Sequence, residues 1–416
     1  MALDERLFRH EWGRMVAALT RLLGVHNLSL AEDVVQEAFC RAAEVWKFHG
    51  APDNPAAWLM ATAKNCALDA VRRERTARTF APELGRHLQS EWTLAPVVET
   101  FFAPDAIKDD LLRMMFTCCH PRLPEAAQVA LILHVLCGFS VGETAAALMS
   151  RRDAIEKRLT RAKATLASAK RLFDVSIARD FETRLPAVQR ALYLLFNEGY
   201  HGASPTQAVR AELCWEAMRL VRLLIDHPQG RTPATYALAA VMSLNAARLP
   251  ARMDANGDLV ALDAQDRSKW DRRRIDEGLR LLTLAARGAA VGPYHLEAAI
   301  AAEHARARSL QETDWEEIVG LYDLMMAVCP SPVVALNRAI AVSRKDGPNL
   351  GLKAIAAIED IDRLDRYPFF PAARAELELC RGDHAAARAH FEAALNLARS
   401  PAERRHYERR LAVCKE

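Results

Sequence analysis

The sequence predicts an all-α chain built from several helical domains, and three observations carry that prediction. Ala, Leu, Arg and Glu dominate the chain, and these are strong helix formers. Segments such as Ala126–Leu136 and Ala234–Leu244 repeat apolar residues at helical spacing. No run alternates convincingly as a strand would, and Asn256-Gly257 sits in a polar stretch rather than between two strand-like runs. The length of 416 residues fits two to four domains, at about 100–200 residues each. A hydrophobic share of 51% supplies real cores and excludes wholesale disorder.

The bulk composition excludes several classes. Lys and Arg number 56 against 53 Asp and Glu, a net charge of +3, so the chain is not uniformly polybasic, although local basic patches remain open. No apolar run approaches the roughly 18 residues of a membrane helix. The opening MALDERLFRHEW lacks the apolar core of a secretory signal. These features predict a cytoplasmic protein with no membrane partner. The nine cysteines form no C-x-x-C pair. An odd number without a signal peptide argues against a disulfide framework and for small buried hydrophobes.

The elements follow in order. A helix beginning near Ser29 carries Ala31-Glu32-Asp33-Val34-Val35-Gln36-Glu37-Ala38-Phe39. Asp33, Gln36 and Glu37 fall at i, i+3 and i+4, on one face, with Val34, Val35, Ala38 and Phe39 on the core side. The acidic face cannot favour DNA, so a protein partner is expected there. The turn cluster His49–Pro55 separates this helix from a second, basic one running through Trp58, Lys64, Asn65, Asp69, Arg72 and Arg73. Thr79–Ile107, with Pro82, Gly85, Pro96 and Pro104, reads as a linker.

Next comes a helix pair. Ser140 is the expected N-cap of Val141–Met149, with Glu143 completing a capping box. Ser150-Arg151-Arg152 makes a polar turn, and Asp153–Ala169 forms the following helix. Thr144 and Ala145 are small where the two would cross. Ile155, Leu159, Ala162 and Leu166 give the second helix an apolar face, leaving Arg152, Glu156, Lys157, Thr160, Arg161 and Lys163 on the others. This is the layout of a DNA-reading helix-turn-helix, with its apolar side packed and its polar side free for the major groove. The basic residues segregate into this helix and the one after His49–Pro55, leaving the rest of the chain acidic on balance. A charge run is often only a solvated helix face; two of them also make footprints for phosphate backbones.

Further breaks are expected at Phe173–Ile177 and Gly288–Pro293, and Arg248–Trp270 reads as a long polar surface loop rich in Asp. The C-terminal part hints at a repeat. Tyr322 and Phe391 lie close to two tetratricopeptide periods of about 34 residues apart. Gly382, Ala387, Phe391 and Ala394 fit the second helix of such a unit, while its first-helix signature is poor.

Taken together, AEDVVQEAF, then PAAWLMATAKNCALDAVRRER, then a linker, then FSVGETAAALMSRRDAIEKRLTRAKATL resemble the extracytoplasmic-function (ECF) type of bacterial RNA polymerase sigma factor, in family order and spacing. The resemblance covers roughly residues 5–172. It implies a sigma region 2 domain over 1–80, a linker over 81–107 that threads through the polymerase, and a region 4 helix-turn-helix domain over 108–175. A helical extension over 176–290 and tetratricopeptide-like repeats over 291–416 would follow. Asp33, Gln36 and Glu37 would meet the coiled coil of the largest subunit of core RNA polymerase, with the polymerase flap as a further contact. The loop His49–Asn54 would capture a flipped base of the −10 promoter element. Asn54, Lys64, Asn65, Asp69, Arg72 and Arg73 would bind −10 DNA. Arg151, Arg152, Glu156, Lys157, Arg161 and Lys163 would read the −35 element. The recognition helix departs from the family in having Asp153-Ala154-Ile155 where many members show a small residue and then Thr-Val. The long extension resembles that of a subgroup in which it takes the regulatory role of a separate anti-sigma factor, through an intramolecular contact or a protein partner.

Sharper chemistry finds little support. Cys118, Cys119, His120, His134 and Cys137 invite a zinc proposal, but their spacing fits no standard motif, so core packing and a capped turn are expected. Counting from Asp254, a calcium loop would need Gly and Glu where Leu259 and Gln265 stand. The run Asp266–Asp271 could dock onto a neighbour through Trp270. Asn197–Gly202 reads as a helix C-cap with Gly199 or Gly202 at the turn. No Walker loop, dinucleotide fingerprint or H-E-x-x-H is present. The expectation is a promoter-specificity subunit, not an enzyme, with no cofactor and no metal. The competing readings are a stand-alone helix-turn-helix regulator with a repeat sensor, which would not need the acidic face, and a scaffold for acidic partners, which would ignore DNA sequence.

Overall fold

The computed structural model describes residues 5–75, 109–168, 177–201 and 209–414. It is helical throughout, and among these residues the only β-type pairing is the isolated bridge between Met253 and Leu259. The expected linker Thr79–Ile107 lies outside the described residues. The chain forms two compact units. One comprises residues 1–195 with 226–230, and the other residues 196–225 with 231–416.

The first unit begins with α1 (Glu5–Leu23), α2 (Leu28–His49) and α3 (Pro55–Arg75). The α1 residues Met15, Val16, Leu19 and Leu23 are buried with Val35, Phe39 and Trp46 of α2 and Leu59 and Ala63 of α3. Rings lock the bundle: Phe8 of α1 lies 4.9 Å from Phe39, and Trp46 meets Trp58 edge-on at 5.4 Å. Aromatic pairs in this geometry add to simple area burial. As the turn cluster predicts, α2 stops at Gly50, whose positive φ of 75° suits glycine.

The second half of this unit holds α4 (Asp110–Cys118), α5 (Glu125–Leu131) continued by a π-helical turn over Ile132–Leu136, α6 (Val141–Ala147) and α7 (Arg152–Ser168). Cys118, Cys119 and Cys137 are buried in its core. Burial pushes the Cys119 thiol up to about 12. His120 accepts from Arg122 N–H at 3.1 Å, capping the turn at Pro121, and His134 Nδ1 meets Phe139 O at 2.7 Å. The helix α8 (Ile177–Tyr200) follows, with Phe181 stacked on Phe116 at 4.4 Å.

The second unit contains α9 (Ala211–Asp226), α10 (Pro233–Ala246), α11 (Arg272–Ala285), α12 (Pro293–Arg306), α13 (Trp315–Val328), α14 (Pro332–Asp346), α15 (Pro348–Ala356), α16 (Phe369–Arg381), α17 (His384–Asn396) and α18 (Pro401–Val413). The helix α10 is apolar nearly all round and buried from Ala237 to Leu244, as a central helix must be. Small apolar clusters then pass down the array from one helix pair to the next. Leu296 and Ile300 pack with Ile318 and Ala341, Leu336 packs with Ile355 and Leu377, and Ala375 packs with Phe391 and Tyr407. Such nearest-neighbour burial is how repeat arrays are stabilised. Gly382, expected with the second helix of a repeat unit, instead ends α16 at φ +86°, and Ala387, Phe391 and Ala394 of α17 are fully buried.

Two local readings need correction. Of the two glycines expected at the end of this helix, Gly202 lies outside the described residues, and Gly199 is not at a turn but in the last helical turn of α8, which ends at Tyr200. A Cβ there would sit 2.8 Å from Arg210 O, Cys214 N and Cys214 Sγ, so glycine is needed for the close approach of α8 and α9. The stretch Arg248–Trp270 exposes residues 254–257, Asp263, Asp266, Ser268 and Lys269, as a polar surface loop would, but it is not solvated throughout. It breaks into three 3₁₀ turns, and Arg252, Asp258, Gln265, Arg267 and Trp270 are buried. Arg267 donates to His304 O and Ala307 O, both at 2.8 Å, and to Thr313 at 3.1 Å. The neighbour this run docks onto is the start of the repeat array in its own chain.

Candidate nucleic-acid and polymerase interface

The acidic face of α2 is set by its own burial pattern. Ala31, Val34, Val35, Ala38 and Phe39 are buried, so Asp33, Gln36 and Glu37 are forced outward, and all three are exposed. Glu37 Oε1 pairs with Arg41 Nε at 2.8 Å, with both side chains about half exposed. This leaves a ridge of carboxylates in water, suited to a basic partner.

At the other end of α2, Phe48 is 80% exposed, with Lys47 Nζ 5.8 Å from its ring. Asn54 accepts from Ala57 N–H at 3.0 Å and so caps the start of α3. Along α3, Asn65 and Asp69 are exposed and Lys64 is half-buried. Arg72 and Arg73 lie in the last turns of α3, and their side chains fall outside the described residues.

The helix-turn-helix is built as its sequence predicts. Ser140 Oγ accepts from Glu143 N–H at 3.1 Å, and Glu143 Oε2 accepts from Ser140 N–H at 2.7 Å, a complete capping box. Met149, at φ 47°, turns the chain between α6 and α7. Thr144 and Ala145 are buried at the crossing, and Ile155, Leu159, Ala162 and Leu166 are buried along α7. Arg151, Arg152, Glu156, Lys157 and Arg161 are left exposed. Arg151 pairs with Asp153 at 2.6 Å and Arg152 with Glu156 at 3.0 Å. The Arg151 hydrogen bond holds the Asp153 carboxyl below its ordinary range. These pairs are solvent-screened and weak, so a phosphate can take either arginine at small cost.

Lys163 differs from the others. It is half-buried and pairs at 2.8 Å with Glu32, on the inner flank of α2. Nothing local announces that contact, which joins residues 131 apart. Two more contacts join the same halves of the unit. Trp12 Nε1 donates to Val135 O at 2.9 Å. Gly13 lies so close to Leu136 that a Cβ would sit 1.8 Å from its carbonyl oxygen.

Family models match the chain segment by segment. Sigma-70 region 2 covers residues 7–77, and Sigma-70, region 4 covers residues 113–166. A family of unknown function (DUF6596) covers residues 184–286. The chain is also 41% identical over 380 residues to an uncharacterized protein, R00370, of Rhizobium meliloti (strain 1021). That match spans 91% of this chain and 88% of the relative. The chain belongs to the ECF-like sigma factors with a C-terminal extension. As a sigma factor it binds RNA polymerase and promoter DNA, and it acts in transcription initiation. Such families are not enzymes. No helix among the described residues is long and apolar enough to cross a membrane.

Proposed function

We propose that this sigma factor directs core polymerase to promoters by dividing the work among its segments. Region 2, over 1–80, engages the coiled coil of the largest subunit through Asp33, Gln36 and Glu37, and holds −10 DNA with Asn54, Lys64, Asn65, Asp69, Arg72 and Arg73. Region 4, over 108–175, reads −35 DNA with Arg151, Arg152, Glu156, Lys157, Arg161 and Lys163 and contacts the polymerase flap. The linker 81–107 spans the two. The extension, 176–290 with the repeats 291–416, tunes activity through the sigma domains or through a protein partner.

The observation that carries this reading is the pairing of two unlike exposed surfaces in one unit: carboxylates on α2 and guanidinium and ammonium groups on α7. A simple DNA-binding regulator has use for the second and none for the first. Phe48 offers a flat apolar face beside the loop that would take the −10 base, and extruding a base requires a stacking partner.

Run-off transcription with bacterial core polymerase tests the assignment, using wild type and an Asp33→Arg/Glu37→Arg variant. Reversing charge at an interface costs about 2 kcal/mol or more, so the variant should lose polymerase binding and initiation while keeping its fold. Equal initiation by both proteins would remove the polymerase role from this face. Staged truncation within 176–416 tests the extension: if every truncated chain transcribes like the full chain, the extension is not regulatory.

A further inference from the structure

The end of α8 and the turn that follows α10 hold an unusual concentration of cations. Arg252 is 8% exposed and lies flat over Tyr200, with its guanidinium carbon 4.1 Å from the ring centre. Its NH2 group is 3.3 Å from His201 Nδ1. Arg248 reaches the faces of Tyr200 and Trp270, and its Nε donates to Gln265 Oε1 at 3.2 Å. Arg399 comes from the loop before α18, and its NH2 group lies 3.5 Å from His201 O.

The counter-charge does not balance. Glu403 is taken by Arg399 at 2.8 Å and Glu198 by the buried Arg210. No carboxylate pairs with Arg248 or Arg252 among the described residues. The ring faces and the amide oxygen satisfy geometry but do not neutralise charge. An unpaired guanidinium taken out of water is costly.

Two more features point the same way. The Tyr200 hydroxyl and Arg252 Nε are buried with no hydrogen-bond partner. His201, beside them, keeps accessible surface. Its imidazole is held well below the ordinary range, by desolvation first and then by Arg252, Arg248 and Arg399. It stays neutral there and can accept a hydrogen bond from Arg252.

We infer that this cluster is a binding site for a small oxyanion ligand, a phosphoryl or carboxylate group held by Arg252 and Arg248 with the Tyr200 hydroxyl as a further donor. Guanidinium groups match the spacing of two oxyanion oxygens, which a point charge does not. The site lies wholly within the second unit and is separate from both DNA-facing helices. It does not depend on how the extension affects transcription.

Calorimetric titration and thermal melting of the full chain test it. The arms are sodium phosphate, sodium acetate and sodium citrate, each against sodium chloride at matched ionic strength. At least one oxyanion should raise the melting temperature beyond chloride and bind with a resolvable heat. Response to phosphate alone identifies a phosphoryl ligand; response to the carboxylates alone identifies a carboxylate ligand. Arg252→Gln should weaken binding at least tenfold. Tyr200→Phe, which keeps the ring under Arg252 and removes only the hydroxyl, should weaken it by a smaller factor. Wild type that treats every oxyanion like chloride overturns the site without reference to any variant. Undiminished binding in Arg252→Gln also overturns it, because the anion would then sit elsewhere.

Discussion

Phe48 and Gly199 show how differently single residues carry the design. Phe48 is mostly in water, so removing its ring costs the fold little. If it stacks on an unpaired −10 base, Phe48→Ala should cost about 1–3 kcal/mol of binding to single-stranded −10 DNA, with the melting temperature unchanged. Fluorescence anisotropy with a labelled oligonucleotide measures this, and equal affinity would remove Phe48 from the DNA face. Gly199 is the reverse case. Alanine there meets two backbone atoms and a buried sulfur, each at 2.8 Å, and backbone cannot rotate away. Overpacking of this kind costs about 1–3 kcal/mol. Urea unfolding of Gly199→Ala should show that loss, and an unchanged midpoint would mean that α8 and α9 have slack. In the sequence, Gly199 looked like a turn residue because a glycine needed for close approach and a glycine needed for positive φ are the same letter. Only the partner helix distinguishes them.

Helix signals were the more legible level. The capping box at Ser140 and Glu143, the small residues at the α6–α7 crossing and the i, i+3, i+4 face of α2 are all written within a few residues of one another, and the structure has them where local chemistry put them. The stretch Arg248–Trp270 was only half legible, for the opposite reason. Its charges look solvated when counted along the chain, but Arg267 finds carbonyls on α12 and in the segment after it, and Asp258 pairs with Arg405 and Arg409 of α18. Polar residues that satisfy one another at long range are invisible to periodicity. The capping box also gives a prediction at this scale. Ser140→Ala removes the acceptor for Glu143 N–H and should destabilise α6 by about 1 kcal/mol. Because α6 supports α7, affinity for a −35 duplex should fall without any change at a DNA-facing side chain. If the duplex binds as tightly as before, α7 is held well enough by its buried apolar face alone.

At the scale of the first unit, the segments matched by sigma region 2 and region 4 touch. Lys163 on α7 pairs with Glu32 on α2, Trp12 donates to Val135 O, and Gly13 admits the Leu136 carbonyl where no side chain would fit. Two promoter elements named for positions −10 and −35 are separated by about 25 base pairs, roughly 85 Å of duplex at 3.4 Å per pair. If α3 and α7 read these elements as proposed, halves joined by the Lys163–Glu32 ion pair cannot lie on both at once, and that contact must open before both are read. A zero-length carbodiimide coupling provides the test, since it turns a close carboxylate–ammonium pair into an amide. Coupled wild type should lose run-off transcription because Glu32 is tied to Lys163. Glu32→Gln, treated in the same way, should keep it, even though Lys345 and Glu316 in the second unit can still couple across their 3.5 Å contact. Core polymerase added before the reagent should protect the wild type by drawing the halves apart. If the coupled wild type, with the Glu32–Lys163 amide verified by mass spectrometry, initiates as well as the untreated protein, then the contact persists in the working complex, and the simultaneous reading of −10 by α3 and −35 by α7 must be abandoned.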